Sequence, residues 1–143
     1  NLLYSTFLGG AEADTAYSIA LNGATVYLVG ETASSNFPTV APLQGNQPGT
    51  DAFVVRLNTN TAGVPGLIFS TYFGGGKWNM FDSTDSARGI VLAGAQMYIA
   101  GFTNSTSEAS GGTFKIAPAV PYQENLAGSS LRGTDCFIIR LAP

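Results

Sequence analysis

A tandem repeat constrains the fold of this 143-residue chain more than any other feature. Three blocks occur twice in the same order: residues 2–10 recur at 67–75, residues 14–32 at 85–103, and residues 49–57 at 133–141. The second copy has two insertions, a short one around residues 77–82 and a longer one between residues 103 and 133. Repeats of this length are copies of one supersecondary unit that bury their apolar faces by stacking. One structural unit is therefore expected from repeat 1, residues 1–66, and repeat 2, residues 67–143.

The repeated blocks have the pattern of short β-strands. Apolar stretches at residues 18–21 and 26–29 are joined by Asn22-Gly23, a dipeptide typical of two-residue hairpins in which both turn positions take positive φ. Residues 53–57 and 67–73 form a second predicted hairpin, and no segment shows sustained helical periodicity. The expected fold class is all-β, with two four-stranded antiparallel blades of the propeller type, completed by neighbouring copies.

The predicted strands are apolar on both sides. In residues 53–57 and 137–141, hydrophobic side chains occupy alternate positions facing either way, apart from Arg56 and Arg140. A sheet with one solvated face alternates clearly between apolar and polar residues. Blades stacked around an axis are buried on both faces. The pattern therefore favours stacked blades, with an isolated two-sheet sandwich as the alternative.

The repeat resembles the bacterial and archaeal β-propeller repeat family known as SBBP. In the first copy the matching residues are 4–10, Asp14 with 18–21, 26–32 with Phe37-Pro38, and 51–57. In the second copy they are 69–75, Asp85 with 89–92, 97–103, and 135–141. The resemblance implies propeller blades in large secreted or surface-attached proteins, and it supplies no catalytic residues. Two copies are fewer than the 4–8 blades of closed propellers.

Composition excludes several classes of partner. Six Lys and Arg residues and a net charge of −3 disfavour nucleic acid, because they cannot form a stripe that follows phosphates. No apolar run approaches the ~18 residues of a membrane span. Only 10% of the residues are charged. A surface rich in Thr, Ser, Asn and Gly instead of Lys and Glu indicates an extracellular or cell-surface protein.

The sequence predicts no enzyme and no cofactor. Without histidine, neither a Ser-His-Asp triad nor a histidine metal site can form. Cys136 stands where the first copy has Ala52, so it is expected to be a small buried thiol and not a nucleophile. The aspartates recur between copies, as Asp14 with Asp85 and Asp51 with Asp135. Such residues are expected to accept backbone N–H bonds at strand entrances. Calcium binding at Asp82 and Asp85 stays open, as does glycosylation of the Asn104 sequon.

When the predicted strands are assigned to two blades, one strand is left over at the start of the chain and the second blade lacks one strand. Residues 2–8 match Leu67–Phe73 but follow no strands of their own, whereas the second blade has no closing strand after residues 137–141. Donation of residues 1–10 to a neighbouring copy would remove both exposed edges. This head-to-tail contact gives a ring or a filament, and a chain without residues 1–10 is expected to be monomeric or insoluble. Alternatively, an adjacent repeat of a longer chain supplies the strand.

The expected function is structural: an assembly module of an extracellular propeller protein whose partners are other copies of itself or adjacent repeats. Trp78 and Phe81 bring apolar bulk to the first insertion, which is expected to pack on a neighbouring blade or a partner. The alternative function is a carbohydrate- or protein-binding module, with glycan as a possible partner. The predicted assembly interface consists of Leu2, Leu3, Tyr4, Phe7, Trp78, Phe81, Phe137 and Ile139.

Overall fold

The computed structural model describes residues 1–61, 66–76, 83–105 and 133–142. Seven β-strands and no helix occur in these residues, which confirms the all-β prediction. The strands are β1 (Asp14–Asn22), β2 (Thr25–Thr32), β3 (Gly49–Asn58), β4 (Leu67–Phe73), β5 (Ser83–Ala93), β6 (Gln96–Thr103) and β7 (Asp135–Leu141). Each predicted strand from residue 18 onwards lies inside one of these elements.

The strands form two antiparallel units. In the first unit β1, β2, β3 and β4 pair in sequence order. In the second unit β5, β6 and β7 do the same, so this unit has three strands in the described part of the chain. A short parallel bridge joins β3 to β5, pairing Gly49 with Ser83 and Thr50 with Thr84. The whole is thus a mixed seven-stranded sheet of two meanders.

The boundary between the two sequence repeats and the boundary between the two sheet units differ by one strand. β4 opens the second sequence repeat, yet it hydrogen-bonds to β3 and closes the first unit. The matching segment, residues 2–8, belongs to none of the seven strands. The same sequence element therefore occurs once inside a sheet and once outside it.

The tight turns differ from the prediction in one respect. Asn22 pairs with Thr25, so the two turn residues are Gly23 and Ala24. Gly23 has φ +58°, and the counterpart Gly94 has φ +59°. Among the described residues Ala41 alone of the non-glycines has positive φ, so Ala24 does not. The prediction of positive φ at Asn22 and Gly23 was wrong, because a glycine at the first turn position alone suffices for a type II′ hairpin.

The two units pack face to face through one apolar cluster. It joins residues of β2, β3 and β4 to residues of β5, β6 and β7: Tyr27, Val29, Ala52, Val54, Phe73, Ala87, Ile90, Met97, Ile99 and Phe137. A second cluster covers the opposite face of the first unit and consists of Phe37, Phe53, Val55, Leu57 and Tyr72. β3 is consequently buried on both faces, as Val54 and Val55 show with no exposed surface.

Candidate assembly surface

In each unit, an aspartate near the start of the first strand accepts hydrogen bonds from the preceding segment and from residues at the end of the second strand. We call this arrangement an aspartate clip. Asp14 accepts hydrogen bonds from the Gly10 N–H (2.7 Å), the Thr32 hydroxyl (2.5 Å) and the Ser34 hydroxyl (3.2 Å). The expectation that Asp14 accepts a backbone N–H is confirmed. Each clip ties the end of a strand pair to the segment that enters the unit.

The second unit repeats the same clip. Asp85 accepts from the Gly75 N–H (2.9 Å), the Ser105 hydroxyl (2.7 Å) and the Thr103 hydroxyl. All three donors are the repeat counterparts of those around Asp14. Burial raises the pKa of Asp85, while its three hydrogen bonds act to lower it. This equivalence shows that the chain enters the first strand of both units with the same geometry.

A second buried carboxyl, Asp51, lies next to Asp85 at the junction of the units. A Cβ on Gly74 would meet Asp51 Oδ1 at 2.1 Å and Asp85 Oδ2 at 2.8 Å, so both carboxyls crowd one glycine. Asp51 accepts the Gln47 N–H (2.7 Å) through Oδ2, as expected, but Oδ1 has no hydrogen-bond partner. Burial, reinforced by the charge of Asp85, raises the pKa of Asp51 to about 7. This site favours a neutral carboxyl.

The segment of residues 2–8 is held beside the first unit. Tyr4 and Leu8 pack against the apolar cluster on that unit's outer face. Their repeat counterparts in β4 are Phe69 and Phe73, and both pack in the cluster between the two units. Because the clip at Asp14 matches the clip at Asp85, residues 2–8 stand relative to the first unit as β4 stands relative to the second.

The other side of this segment is exposed. Leu2, Leu3 and Phe7 are among the large hydrophobic residues that face solvent. In β4 the counterpart of Phe7 is Tyr72, which is buried in the second apolar cluster. The difference arises because β4 has β3 as a sheet neighbour, whereas residues 2–8 pair with no strand of the described chain.

The predicted interface residues thus lie in different environments. Leu2, Leu3 and Phe7 are exposed, and Tyr4 is half-buried. Phe137 and Ile139 lie in or against the cluster between the units, so within this chain they serve the core. Trp78, Phe81 and Asp82 lie outside the described residues.

Cys136 corrects one expectation. The thiol was expected to be buried like Ala52, but it is exposed. Ala52 is covered by the second unit, whereas no described residue covers the equivalent face of β7. The sequence could reveal that these two positions are equivalent, but not that only one of them has a neighbouring sheet.

Sequence reasoning also missed the exposed apolar residues of the sheets themselves. Ile19 and Leu21 are exposed on β1, Val91 on β5 and Ile138 on β7. The sequence did show that these strands are hydrophobic on both sides, so that both faces need a packing partner to be buried. Which face lacks a partner depends on the number of units that stack.

Two further kinds of feature are absent from the same residues. Within the described ranges, no group of three or more His, Cys, Asp or Glu side chains is arranged to hold a metal ion. Nor do these residues contain a helix that is long and apolar enough to cross a membrane.

Comparison with known proteins gave no match: no family model, no curated protein and no solved structure matches this chain significantly.

Proposed function

We propose that this chain is a structural assembly module of an extracellular or cell-surface β-propeller protein, and that it joins to further copies by head-to-tail strand addition without catalysing a reaction. One observation carries the proposal. Residues 2–8 repeat the sequence of β4 and are held in the equivalent place beside a unit, yet they pair with no described strand.

The acceptor of the donated strand is β7. Its counterpart β3 has β2 on one side and β4 on the other. β7 has β6 on one side and, among the described residues, no strand on the other. Residues 2–8 of a neighbouring copy supply what β4 supplies to β3. The donated backbone provides the hydrogen bonds, and the alternating side chains provide the specificity.

The propeller interpretation rests on the repeat and on its resemblance to the SBBP family. Face-to-face packing of successive antiparallel units supports it. Blade-like units of this kind close into a ring when the rotation between them allows it and otherwise form an open fibre. Asp14 and Asp85, which recur between the units, accept hydrogen bonds from nearby backbone and hydroxyl groups, which supports a structural role over a catalytic one.

The test is the native mass of the full chain compared with a chain that begins at Gly9. This truncation removes the donor strand but leaves Gly10, which donates to Asp14. The full chain is expected to form a particle of several times 14.8 kDa, and the truncated chain a monomer of unchanged circular dichroism. A full-length Leu43→Ser variant is the control, because Leu43 is an exposed apolar residue of the loop between β2 and β3. An unchanged particle mass after truncation would refute strand addition.

A further inference from the structure

The units present two faces that are equivalent by repeat but unequal in burial. We call the front face the one that carries Val54 in the first unit and Ile138 in the second. The back face carries Ile19 in the first unit and Ile90 in the second. Inside the chain, the front face of the first unit packs on the back face of the second.

The front face of the second unit is uncovered. Val54 has no exposed surface, whereas its counterpart Ile138 is 79% exposed. Val91 and Ala100 on the same face are exposed as well. Aliphatic side chains that the first unit buries are therefore open to solvent in the second. Clustered apolar exposure of this kind marks an interaction surface.

On the back face of the first unit, the part formed by β1 is uncovered in the complementary way, whereas the part formed by β3 and β4 carries the second apolar cluster. Ile90 is 7% exposed in the second unit, and its counterpart Ile19 is 59% exposed in the first. Leu21 is exposed next to it, while Leu28 is half-buried. The open surface of the second unit and the open β1 surface of the first unit are thus repeat copies of parts of the two surfaces that already fit each other inside the chain.

Resting on the proposed function, we infer that the front face of the second unit docks onto the back face of the first unit in a second copy of this chain. The joint between copies repeats the joint between units. A second copy fits because the side chains that meet occupy the same repeat positions as those already packed in the interior. Strand addition and face docking are then one event, since residues 2–8 already lie against the back face that receives the neighbour.

This arrangement fixes the register of the donated strand. β3 and β4 pair Ala52 with Phe73 and Val54 with Thr71. By repeat equivalence, Leu8 lies opposite Cys136 of the neighbouring copy, and Thr6 lies opposite Ile138. Opposite residues of antiparallel strands have Cα atoms about 4.5–5.5 Å apart, within the range that a disulfide spans.

The register is tested with the natural thiol of Cys136. Under mild oxidation, Leu8→Cys is expected to link copies through Cys136, giving disulfide-bonded multimers on a non-reducing gel. Phe7→Cys is the matched control, because its side chain projects from the opposite side of the strand and should not link to Cys136. Adding Cys136→Ala, which restores the residue of the first repeat, must abolish the product.

The face contact is tested with Ile138→Asp, which places a carboxylate in the docked surface. The concentration at half-assembly is expected to rise by more than about tenfold, while Leu43→Asp leaves it unchanged. Because Ile138 faces solvent in the single chain, the variant monomer should fold normally, and its circular dichroism checks this.

The outcomes separate this inference from the proposed function. Assembly that depends on residues 1–8 and forms the Leu8–Cys136 link, but is insensitive to Ile138→Asp, would overturn the face docking and leave strand addition intact. Assembly in which Leu8→Cys forms no link to Cys136 would overturn strand addition at β7. A full chain that is monomeric at every concentration would overturn both. Both specific effects together would establish the docking.

Discussion

Asp51 is the residue whose chemistry depends most on its surroundings. Only 1% of its surface is exposed, and the carboxyl of Asp85 lies across Gly74 from it. Asp85 has three hydrogen-bond donors to stabilise its charge, whereas Asp51 has one backbone donor and an unpaired Oδ1. The proton of this pair therefore belongs on Asp51.

The raised pKa of Asp51 predicts a stability that falls with increasing pH. Below about pH 4 the carboxyl is protonated in both the folded and the unfolded chain. Between about pH 4 and pH 7 only the unfolded chain ionises, so the free energy of unfolding decreases, by on the order of 4 kcal/mol for a shift from 3.8 to about 7. Denaturant unfolding at several pH values measures this slope.

Asp51→Asn is the matched variant. The amide keeps an oxygen for the Gln47 N–H and does not ionise, so the loss of stability between pH 4 and pH 7 should shrink markedly. Asp85→Asn should instead destabilise the fold throughout this range, because the amide cannot accept from all three donors. An unchanged pH slope in Asp51→Asn would show that Asp51 is not the titrating group.

At the scale of single elements, the hairpin turns are governed by local backbone geometry. Gly23 and Gly94 take φ of +58° and +59°, and a Cβ at either would meet no atom within 4 Å. A substitution there tests backbone strain alone. The neighbouring Ala24 and Ala95 show that the second turn position needs no glycine.

Gly23→Ala is expected to destabilise the chain by about 1 kcal/mol, because an L side chain is strained at positive φ. Gly45→Ala is the control, since Gly45 also has open space around its Cα but no positive φ. It should be neutral or slightly stabilising. Thermal unfolding compares the two variants, and equal effects would contradict a role for φ.

Residues 2–8 and β4 show how one sequence element takes on two environments. Both carry an aromatic residue that packs on the following unit, Tyr4 in one and Phe69 in the other. Only β4 has a sheet neighbour, and only β4 buries its other side. The pattern of the segment predicts a strand, but a strand forms only where a partner backbone is available.

At the scale of the whole molecule, the joint inside the chain includes a charged contact. The Arg88 guanidinium lies 3.6 Å from the centroid of the Tyr17 ring and donates to Glu31 at 3.3 Å. In the second unit the counterparts of Tyr17 and Glu31 are Arg88 and Phe102. In the proposed docking, the equivalent contact brings Tyr17 of one copy to Arg88 and Phe102 of the next, without the carboxylate.

Assembly is accordingly expected to withstand salt. The proposed joint between copies lacks the counterpart of the Arg88–Glu31 ion pair, and salt screens the repulsion between copies that each carry a net charge of −3. The concentration at half-assembly should stay level or fall as sodium chloride is raised, and fall further in ammonium sulfate. Sedimentation measures it. Dissociation with rising sodium chloride would instead indicate that ion pairs hold the copies together.

The sequence by itself determined the seven strands that pair in the sheet, the position of the turns to within one residue, and the role of Asp14, Asp51 and Asp85 as acceptors of backbone N–H bonds. These features are local: side-chain alternation, glycine and a carboxylate near a strand end act through nearby backbone. Only the tertiary structure decided that Cys136 and Ile138 are exposed while Ala52 and Val54 are buried, and that Asp51 lies against Asp85. The paired positions are equivalent in the repeat. Their burial depends on whether another sheet is stacked on that face, which no local pattern encodes.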